Sequence, residues 1–583
     1  ENANANFDLV DEDSKQNDLA YFQVEMNYKL GRFQKACELG VDLISKINES
    51  ERSELSKIIG ESYFNLKKYD EALSYLKDYH GNNGKWSNND FYQLGYTYFV
   101  LGDYSNAIDQ FNKIIDNSNA LAQNAFYHLG DSYLKVYKKI EALNAFKTAS
   151  EMKYDEIITE DALLQYAKLG YESGNPFESS QKVMIRFLNL FPKNKNVEEV
   201  EYLLASSYKQ KGNYDAAISI LESGGRYKDN DALQSVLYLK GISLYDSGDY
   251  STAELFFSRA IKIERFNDIA AKSLYWKGQS QFELGSYSSA QKSYNDYLSL
   301  STQLNQKLRD VFWYEIGYTY FKLKNYPLAI DCFIKQLSNE TKINPSYEID
   351  TYLRLADSYF ANSNYWKALD NYNASIDMSE KDISYPLFQK ALSYGFLQKI
   401  ENKIKVLIDL SSEDQDHFIV DKSLYELAKT YTSIKEFDSA LEVYNSLIKR
   451  FPNSNYLSRS YLNRGLILFN TERLLESKEV LELVVEKFRN DRITTQALNS
   501  LKEISIELGE VDVFSEWLKS QNIRSFSEGD LASSAFEAAE KFYFDKKNRL
   551  AERQIKDFII RYPDYSGLSI LRYYLAEIYF QNK

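Results

Sequence analysis

The stretch YFVLGDYSNAIDQF, Tyr98–Phe111, decides the fold because close copies of it recur along the chain. The copies read YFNLKKYDEALSYL from Tyr63, YKQKGNYDAAISIL from Tyr208, YFKLKNYPLAIDCF from Tyr320 and YFANSNYWKALDNY from Tyr359. A repeat at a nearly constant interval predicts stacked supersecondary units rather than separate globular domains. The length of 583 residues therefore does not set the number of domains.

One small residue, usually alanine, occupies the same place in each copy and sets the period. Neighbouring copies place it 35 to 39 residues apart, and weaker copies carry Ser179, Lys403, Ser477 or Phe514 there. About fifteen units then fill the chain. An alanine at this place lets two paired helices approach closely. We therefore predict that the following residues pack helix against helix: Ala36, Ala72, Ala107, Ala142, Ala217, Ala253, Ala290, Ala329, Ala368, Ala440 and Ala551.

Each unit reads as two helices joined by a tight turn. Apolar residues at three- and four-residue spacing, from Phe91 to Leu101, predict an amphipathic first helix. A glycine then stands where a left-handed cap is needed, as at Gly102, Gly212, Gly248 and Gly285. Residues that can cap the second helix follow the turn, namely Asp103, Asn213, Asp249 and Asn325. One such hairpin cannot bury both faces, so each must stack on the next.

The run LGYTYFVLGDYSNAIDQF, from Leu94, resembles the tetratricopeptide repeat in its Leu-Gly, Tyr, Gly-x-Tyr, Ala and Phe positions. The resemblance covers nearly the whole chain. It implies an all-α, right-handed superhelical solenoid of about fifteen helix hairpins, whose first helices line a concave groove. We expect one continuous solenoid over residues 1–583, with N-terminal repeats in 1–224, central repeats in 225–410 and more degenerate C-terminal repeats in 411–583.

Three units end in an aromatic residue followed by proline, at FLNLFPKN (Phe187–Asn194), LIKRFPNS (Leu447–Ser454) and FIIRYPDY (Phe558–Tyr565). These ends resemble repeats of bacterial envelope proteins such as the outer-membrane assembly lipoprotein and the Tol-Pal coordinator. The runs from Ala120 to Val136 and from Glu160 to Gly174 resemble large multi-repeat tetratricopeptide proteins of Bacteroidota envelopes. The resemblance implies a periplasmic or outer-membrane-associated protein, with a cytoplasmic one as the alternative.

The closing run YYLAEIYFQNK, from Tyr573, reads as a first helix without its partner. Because solenoid ends normally carry a polar cap, we expect the chain to be a fragment of a longer protein.

If the first helices line the groove, as the resemblance implies, two aromatic columns one heptad apart dominate its wall. The first column is Tyr92, Tyr127, Tyr202, Tyr238, Tyr275, Tyr314 and Tyr425, and the second is Phe64, Phe99, Tyr245, Phe282, Phe321, Phe360 and Phe469. These rings either pack against a neighbouring second helix or form a groove for a partner segment. The residue set of a chaperone clamp is absent, because Glu61 and Tyr96 stand where asparagine is expected.

Composition excludes several other classes. A net charge of -14 argues against nucleic-acid binding, and no apolar run is long enough for a membrane helix. The cysteines Cys37 and Cys332 are far apart, and the histidines His80, His128 and His417 each stand alone, so we expect neither metal nor cofactor. The run HGNNGKW, from His80, lacks phosphate-loop spacing. The acidic stretches Asp8–Asp18 and Ser411–His417 are read as solvated loops.

These observations predict a non-catalytic scaffold that binds protein partners or peptide segments, associated with a membrane only through a complex. Two alternatives stay open from the sequence, a cytoplasmic regulatory solenoid and a glycan- or peptidoglycan-associated accessory scaffold.

Overall fold

The structure is a computed structural model that describes residues 17–114, 118–223, 229–264, 266–338, 344–379, 383–412, 419–489 and 492–581. The chain divides into two compact units, Glu1–Lys307 and Leu308–Lys583. The predicted grouping into 1–224, 225–410 and 411–583 stays a prediction. His417 and most of the acidic stretch Asp8–Asp18 lie outside the described residues.

The first unit contains sixteen helices in its described part and one isolated β-bridge, between Asn82 and Lys85. The helices are α1 Asn17–Lys29, α2 Phe33–Ile44, α3 Glu49–Asn65, α4 Tyr69–Lys77, α5 Asn88–Val100, α6 Tyr104–Phe111, α7 Ala120–Lys135, α8 Lys139–Met152, α9 Glu156–Ser173, α10 Ser180–Leu190, α11 Val197–Gln210, α12 Tyr214–Glu222, α13 Asn230–Asp246, α14 Tyr250–Ile263, α15 Asp268–Glu283 and α16 Tyr287–Gln303.

The second unit contains fifteen helices in its described part. They are α17 Phe312–Lys322, α18 Tyr326–Leu337, α19 Pro345–Ala361, α20 Tyr365–Met378, α21 Ser384–Phe396, α22 Ile400–Ser412, α23 Val420–Ser433, α24 Phe437–Arg450, α25 Leu457–Asn470, α26 Leu474–Lys487, α27 Arg492–Leu508, α28 Val511–Ser520, α29 Glu528–Phe544, α30 Asn548–Arg561 and α31 Leu568–Gln581.

In both units the odd-numbered helices are the first helices of hairpins and the even-numbered helices are the second. Each helix packs against its neighbours in sequence within the unit. First helices also contact the first helix of the next hairpin, as α5 contacts α7 and α17 contacts α19. The first helices therefore lie side by side along one face of each stack, which we call the first-helix face. The predicted all-α solenoid of helix hairpins is confirmed.

A glycine in the middle of many first helices lies against a large side chain of the second helix in the same hairpin. A Cβ atom added to Gly241 would lie 2.6 Å from the Phe257 ring, and one added to Gly278 would lie 2.8 Å from the Tyr294 ring. The same contact recurs at Gly60–Leu76, Gly95–Phe111, Gly130–Phe146, Gly317–Phe333 and Gly465–Leu481. Because interiors are close-packed, the missing side chain of the glycine sets how closely the two helices approach.

The aligned alanines of the second helices have no exposed surface: Ala36, Ala72, Ala107, Ala142, Ala217, Ala253, Ala290, Ala329, Ala368, Ala440 and Ala551. Two weaker copies fill the same place differently. Ser477 donates its hydroxyl to the carbonyl of Gly465 at 2.8 Å. Lys403 is almost fully buried, and its ammonium reaches Glu426 at 2.7 Å. A polar residue is therefore accommodated where a nearby acceptor satisfies it.

The turn inside most hairpins closes through two recurring backbone hydrogen bonds. In the first example, the N–H of Asp103 donates to Tyr98 at 2.9 Å and the N–H of Gly102 donates to Phe99 at 3.1 Å. The predicted left-handed glycines are confirmed, with φ of 83° at Gly102, 73° at Gly212, 86° at Gly248 and 71° at Gly285. The predicted caps are confirmed as well, because the side chains of Asp103, Asn213, Asp249 and Asn325 each accept a backbone N–H.

Replacing Gly241 by alanine is expected to lower the free energy of unfolding by ~1–2 kcal/mol, because the added methyl group displaces the Phe257 ring. The double substitution Gly241→Ala, Phe257→Leu copies the natural pair Ala391 and Leu407, both fully buried in this chain. We expect its cost to be about 1 kcal/mol smaller than the sum of the two single costs. Denaturant unfolding of all four proteins measures this coupling, and strictly additive costs would contradict the contact.

The turn geometry predicts substitutions of opposite sign. Lys324 adopts φ of 59°, which L-residues avoid, so Lys324→Gly is expected to raise the free energy of unfolding by about 1 kcal/mol. Gly285→Ala is expected to lower it by a similar amount, and no atom lies within 4 Å of the added Cβ, so only backbone strain contributes. The midpoint of thermal unfolding reports both, and shifts of the same sign would reject the explanation.

Candidate functional site

The tyrosines of the first predicted column lie on the first helices, with their rings against the second helix. Six of them each contact a ring nineteen residues later, with centroids 6.0 to 6.3 Å apart: Tyr92–Phe111, Tyr127–Phe146, Tyr238–Phe257, Tyr275–Tyr294, Tyr314–Phe333 and Tyr425–Tyr444. Tyr275 is only 2% exposed, whereas Tyr202 is 39% exposed. The bodies of these rings therefore contribute to the packing inside each hairpin.

Several hydroxyls of these tyrosines connect one hairpin to the next. Tyr127 donates to Asp161, and Tyr314 donates to Asp350 at 2.5 Å. Tyr28 and Tyr543 make the same kind of bond, to Glu61 and Glu577. Burial raises the pKa of Tyr127 and Tyr314 well above the usual value, and the hydrogen bond to a carboxylate raises it further. The hydroxyls stay protonated and act as donors.

The rings of the second column lie at the turn. Six of them contact a tyrosine five residues later that begins the second helix, with centroids 5.1 to 5.9 Å apart: Phe64–Tyr69, Phe99–Tyr104, Tyr245–Tyr250, Phe282–Tyr287, Phe321–Tyr326 and Phe360–Tyr365. All of these phenylalanines, Tyr245 and Phe469 are half-buried. Both columns thus have a packing role, and their role in binding stays a prediction.

A row of side chains between the two columns was not among the predicted site residues. It consists of the residue directly after the small residue that faces the ring, such as Tyr96 after Gly95 and Tyr318 after Gly317. Tyr96 stacks on Tyr92 with centroids 6.0 Å apart, and Tyr318 stacks on Tyr314 at the same distance. Several hairpins have an aromatic or acidic residue directly after this glycine or alanine. The pattern can be seen in the sequence once the glycine contact shows how the repeats align.

The first-helix face of the second unit contains a charged cluster built around Asp357. This carboxylate is 7% exposed, and it accepts from the Tyr372 hydroxyl at 2.8 Å, the Tyr385 hydroxyl at 3.2 Å and Arg354 at 3.1 Å. Arg354 also donates to Asp350 at 3.2 Å. Burial raises the pKa of Asp357, and these donors oppose the rise. The cluster is fully paired, as a buried charge requires.

The corresponding face of the first unit contains Asp131, which lacks such partners. Asp131 is half-buried, and no described residue donates a hydrogen bond to it or forms an ion pair with it. Burial raises its pKa to about 6, the charge of Asp161 adds to the rise, and Lys135 opposes it. Beside it, burial lowers the pKa of His128 to about 4, so the imidazole is neutral near pH 7.

His128 lies in a nest of rings, with centroids 5.0 Å from Tyr96, 5.1 Å from Phe99 and 5.4 Å from Tyr127. Its buried Nδ1 atom has no hydrogen-bond partner among the described residues. The histidine therefore contributes a neutral aromatic surface to this face and supplies no positive charge to Asp131.

The described residues contain neither a candidate metal-ion site nor a candidate membrane-spanning helix. No group of three or more His, Cys, Asp and Glu side chains could hold a metal ion there. None of the helices in those ranges combines the length and apolar character that crossing a membrane requires. Cys37 and Cys332 are both buried, and burial raises the pKa of each thiol to about 11. Both thiols are therefore protonated and poorly reactive.

Sequence comparison agrees with this architecture. Family models described as tetratricopeptide repeat match residues 91–118, 202–233, 271–303, 311–341 and 422–454. Tetratricopeptide repeats are therefore confirmed in these five ranges. No curated protein matches the chain.

Three solved structures are similar to the chain at low identity. The structure of Naa15/Naa10 bound to HypK-THB is 13% identical, covers 91% of this chain and 79% of its own, and has a TM-score of 0.33. The C-terminal part of a TPR repeat-containing protein from Cytophaga hutchinsonii is 17% identical and has a TM-score of 0.32. The match covers 44% of the present chain and 97% of the Cytophaga chain. YrrB, a TPR protein with an unusual peptide-binding site, is 18% identical and has a TM-score of 0.27. The match covers 34% of the present chain and 93% of the YrrB chain.

The two carboxylates predict opposite responses to amidation. The pKa of Asp131 in the folded protein, about 6, lies above that of an aspartate in the unfolded chain. The free energy of unfolding therefore falls as pH rises from about 4 to about 6, and the loss remains at higher pH. Asp131→Asn is therefore expected to raise the free energy of unfolding by roughly 1–3 kcal/mol near pH 7 and to leave it unchanged near pH 4.

Asp357→Asn is the matched control: although burial also raises the pKa of Asp357, asparagine removes the charge that pairs with the half-buried Arg354. It is expected to lower the free energy of unfolding by roughly 2–4 kcal/mol near pH 7. Thermal unfolding of both variants across this pH range measures the difference, and a loss of stability in Asp131→Asn at neutral pH would show that Asp131 is paired.

Proposed function

We propose that this protein is a non-catalytic scaffold that binds segments of other proteins along its first-helix face. Tetratricopeptide repeats serve in general as interaction scaffolds, and the confirmed repeats support this role. The observation that carries the proposal is the composition of that face, which contains two columns of aromatic rings and where Tyr202 and Phe396 are 39% and 58% exposed. Aromatic residues with one accessible side are typical of protein interfaces.

Binding by such a face depends on preorganisation. Rings such as Tyr92 and Tyr314 are already fixed by a contact to their own hairpin, so a partner segment that binds over them orders few side chains of the scaffold. Contacts of modest strength in successive hairpins can then act together on one extended segment.

For the cellular setting, we propose a complex of a bacterial cell envelope, in the periplasm or at the outer membrane. The support is the resemblance of the three aromatic-proline repeat ends to envelope repeats. The aromatic residue before each proline is Phe191, Phe451 or Tyr562. Its backbone N–H donates to the carbonyl oxygen four residues earlier, with an N–O distance of 2.9 Å in all three ends, so the ends share one local geometry. Fractionation of cells that produce the complete, tagged gene product tests this setting, and recovery only in the cytoplasm would reject it.

Photo-cross-linking tests the proposed binding face. Benzoylphenylalanine at Phe396, on the first helix α21, is expected to capture partner proteins from the native extract. The control is Leu475, which is 63% exposed but lies on the second helix α26 of the same unit. Equal capture at both positions would reject a binding role specific to the first-helix face.

A further inference from the structure

The environments of Asp131 and Asp357 can be compared because they occupy the same repeat position. Each follows directly the small residue of its first helix, Gly130 or Ala356. In the preceding first helix, the framework of three aromatic rings is the same. Tyr92, Tyr96 and Phe99 have consecutive centroid distances of 6.0 and 6.1 Å, and Tyr314, Tyr318 and Phe321 have the same two distances.

In the second unit, one ring of this framework contacts a cation that the chain supplies itself. Arg354, three residues before Asp357, places its guanidinium carbon 5.5 Å from the centroid of the Tyr318 ring. The same guanidinium donates to Asp357 at 3.1 Å. A guanidinium on an aromatic face and against a carboxylate gains from both contacts.

In the first unit, every donor of that arrangement is replaced by a group that gives Asp131 no hydrogen bond among the described residues. His128 stands at the place of Arg354 and is neutral. Phe146 stands at the place of Tyr372, so one hydroxyl is missing. At the place of Tyr385 is Asp161, which adds a second carboxylate instead of a hydroxyl. Lys135, one turn further along α7, lowers the pKa of Asp131 by its charge but forms no ion pair with it among the described residues.

We propose that the surface formed by Tyr96, Phe99, His128, Asp131 and Asp161 binds an arginine side chain of a partner protein segment. The bound guanidinium stacks on the rings and pairs with Asp131, as Arg354 does with Tyr318 and Asp357 in the second unit. This inference rests on the proposed scaffold function and names the chemistry of one partner residue. Charge complementarity selects the occupant, because two neighbouring carboxylates without a paired cation attract a positive group and disfavour an acidic one.

A random peptide library displayed on phage and selected on the purified chain tests the site. Peptides that bind are expected to share an arginine, and changing it to glutamine is expected to weaken binding about tenfold or more, since a charged, partly desolvated pair is lost. Asp131→Asn is expected to weaken the same peptides by a similar factor in fluorescence polarisation. Asp357→Asn, whose carboxylate already holds Arg354, is the matched control and is expected to leave the dissociation constant unchanged.

His128→Arg provides a second, independent variant. It places an internal arginine where Arg354 stands in the other unit, so it is expected to raise the melting temperature and to abolish binding of the arginine peptides. Retention of binding in both Asp131→Asn and His128→Arg would overturn the site, as would peptides without a shared cationic residue. Those results would leave the scaffold function intact, because cross-linking at Phe396 tests that function separately.

Discussion

The contact between a glycine in many first helices and a large side chain of the second helix in the same hairpin is the constraint on which the structure depends. Any Cβ atom on Gly241, Gly278 or Gly130 would lie under 3.0 Å from the opposing ring. The close approach fixes the distance between the helices and, through it, the direction in which every other residue of the first helix points. Where the glycine is replaced by alanine, as at Ala356, the ring opposite is still fully buried, so the constraint tolerates one methyl group with local adjustment.

From this contact follows the double role of the aromatic columns. A tyrosine such as Tyr314 lies three residues before the glycine, so its ring reaches the second helix while its hydroxyl reaches Asp350 on the next first helix. One side chain thus belongs to the core of one hairpin and to the junction with the following one. The apolar ring of the tyrosine is buried, and its polar hydroxyl has a hydrogen-bond partner. This accounts for the use of tyrosine, rather than phenylalanine, at this place.

The residue after the glycine makes different contacts in different hairpins, and this variation is what makes the position a candidate for binding. In α19 it is Asp357, which the chain neutralises with Arg354 and two hydroxyls. In α7 it is Asp131, which stands on the same framework without those donors. A repeat protein offers this comparison within a single chain, because one unit shows a complete arrangement and another shows the same arrangement with a component missing. The candidate site is defined by that difference.

The sequence by itself determined the repeat, its period, the left-handed glycines and the caps, because these depend on local backbone preferences that act within a few residues of the chain. It also placed the two aromatic columns on the first helices. It could not separate packing from binding in those columns, nor show that Tyr96, His128 and Asp131 come together on one surface. Which donor approaches a carboxylate depends on side chains about thirty residues away that stacking brings together, and only the tertiary structure showed that Asp357 has three donors while Asp131 has none among the described residues.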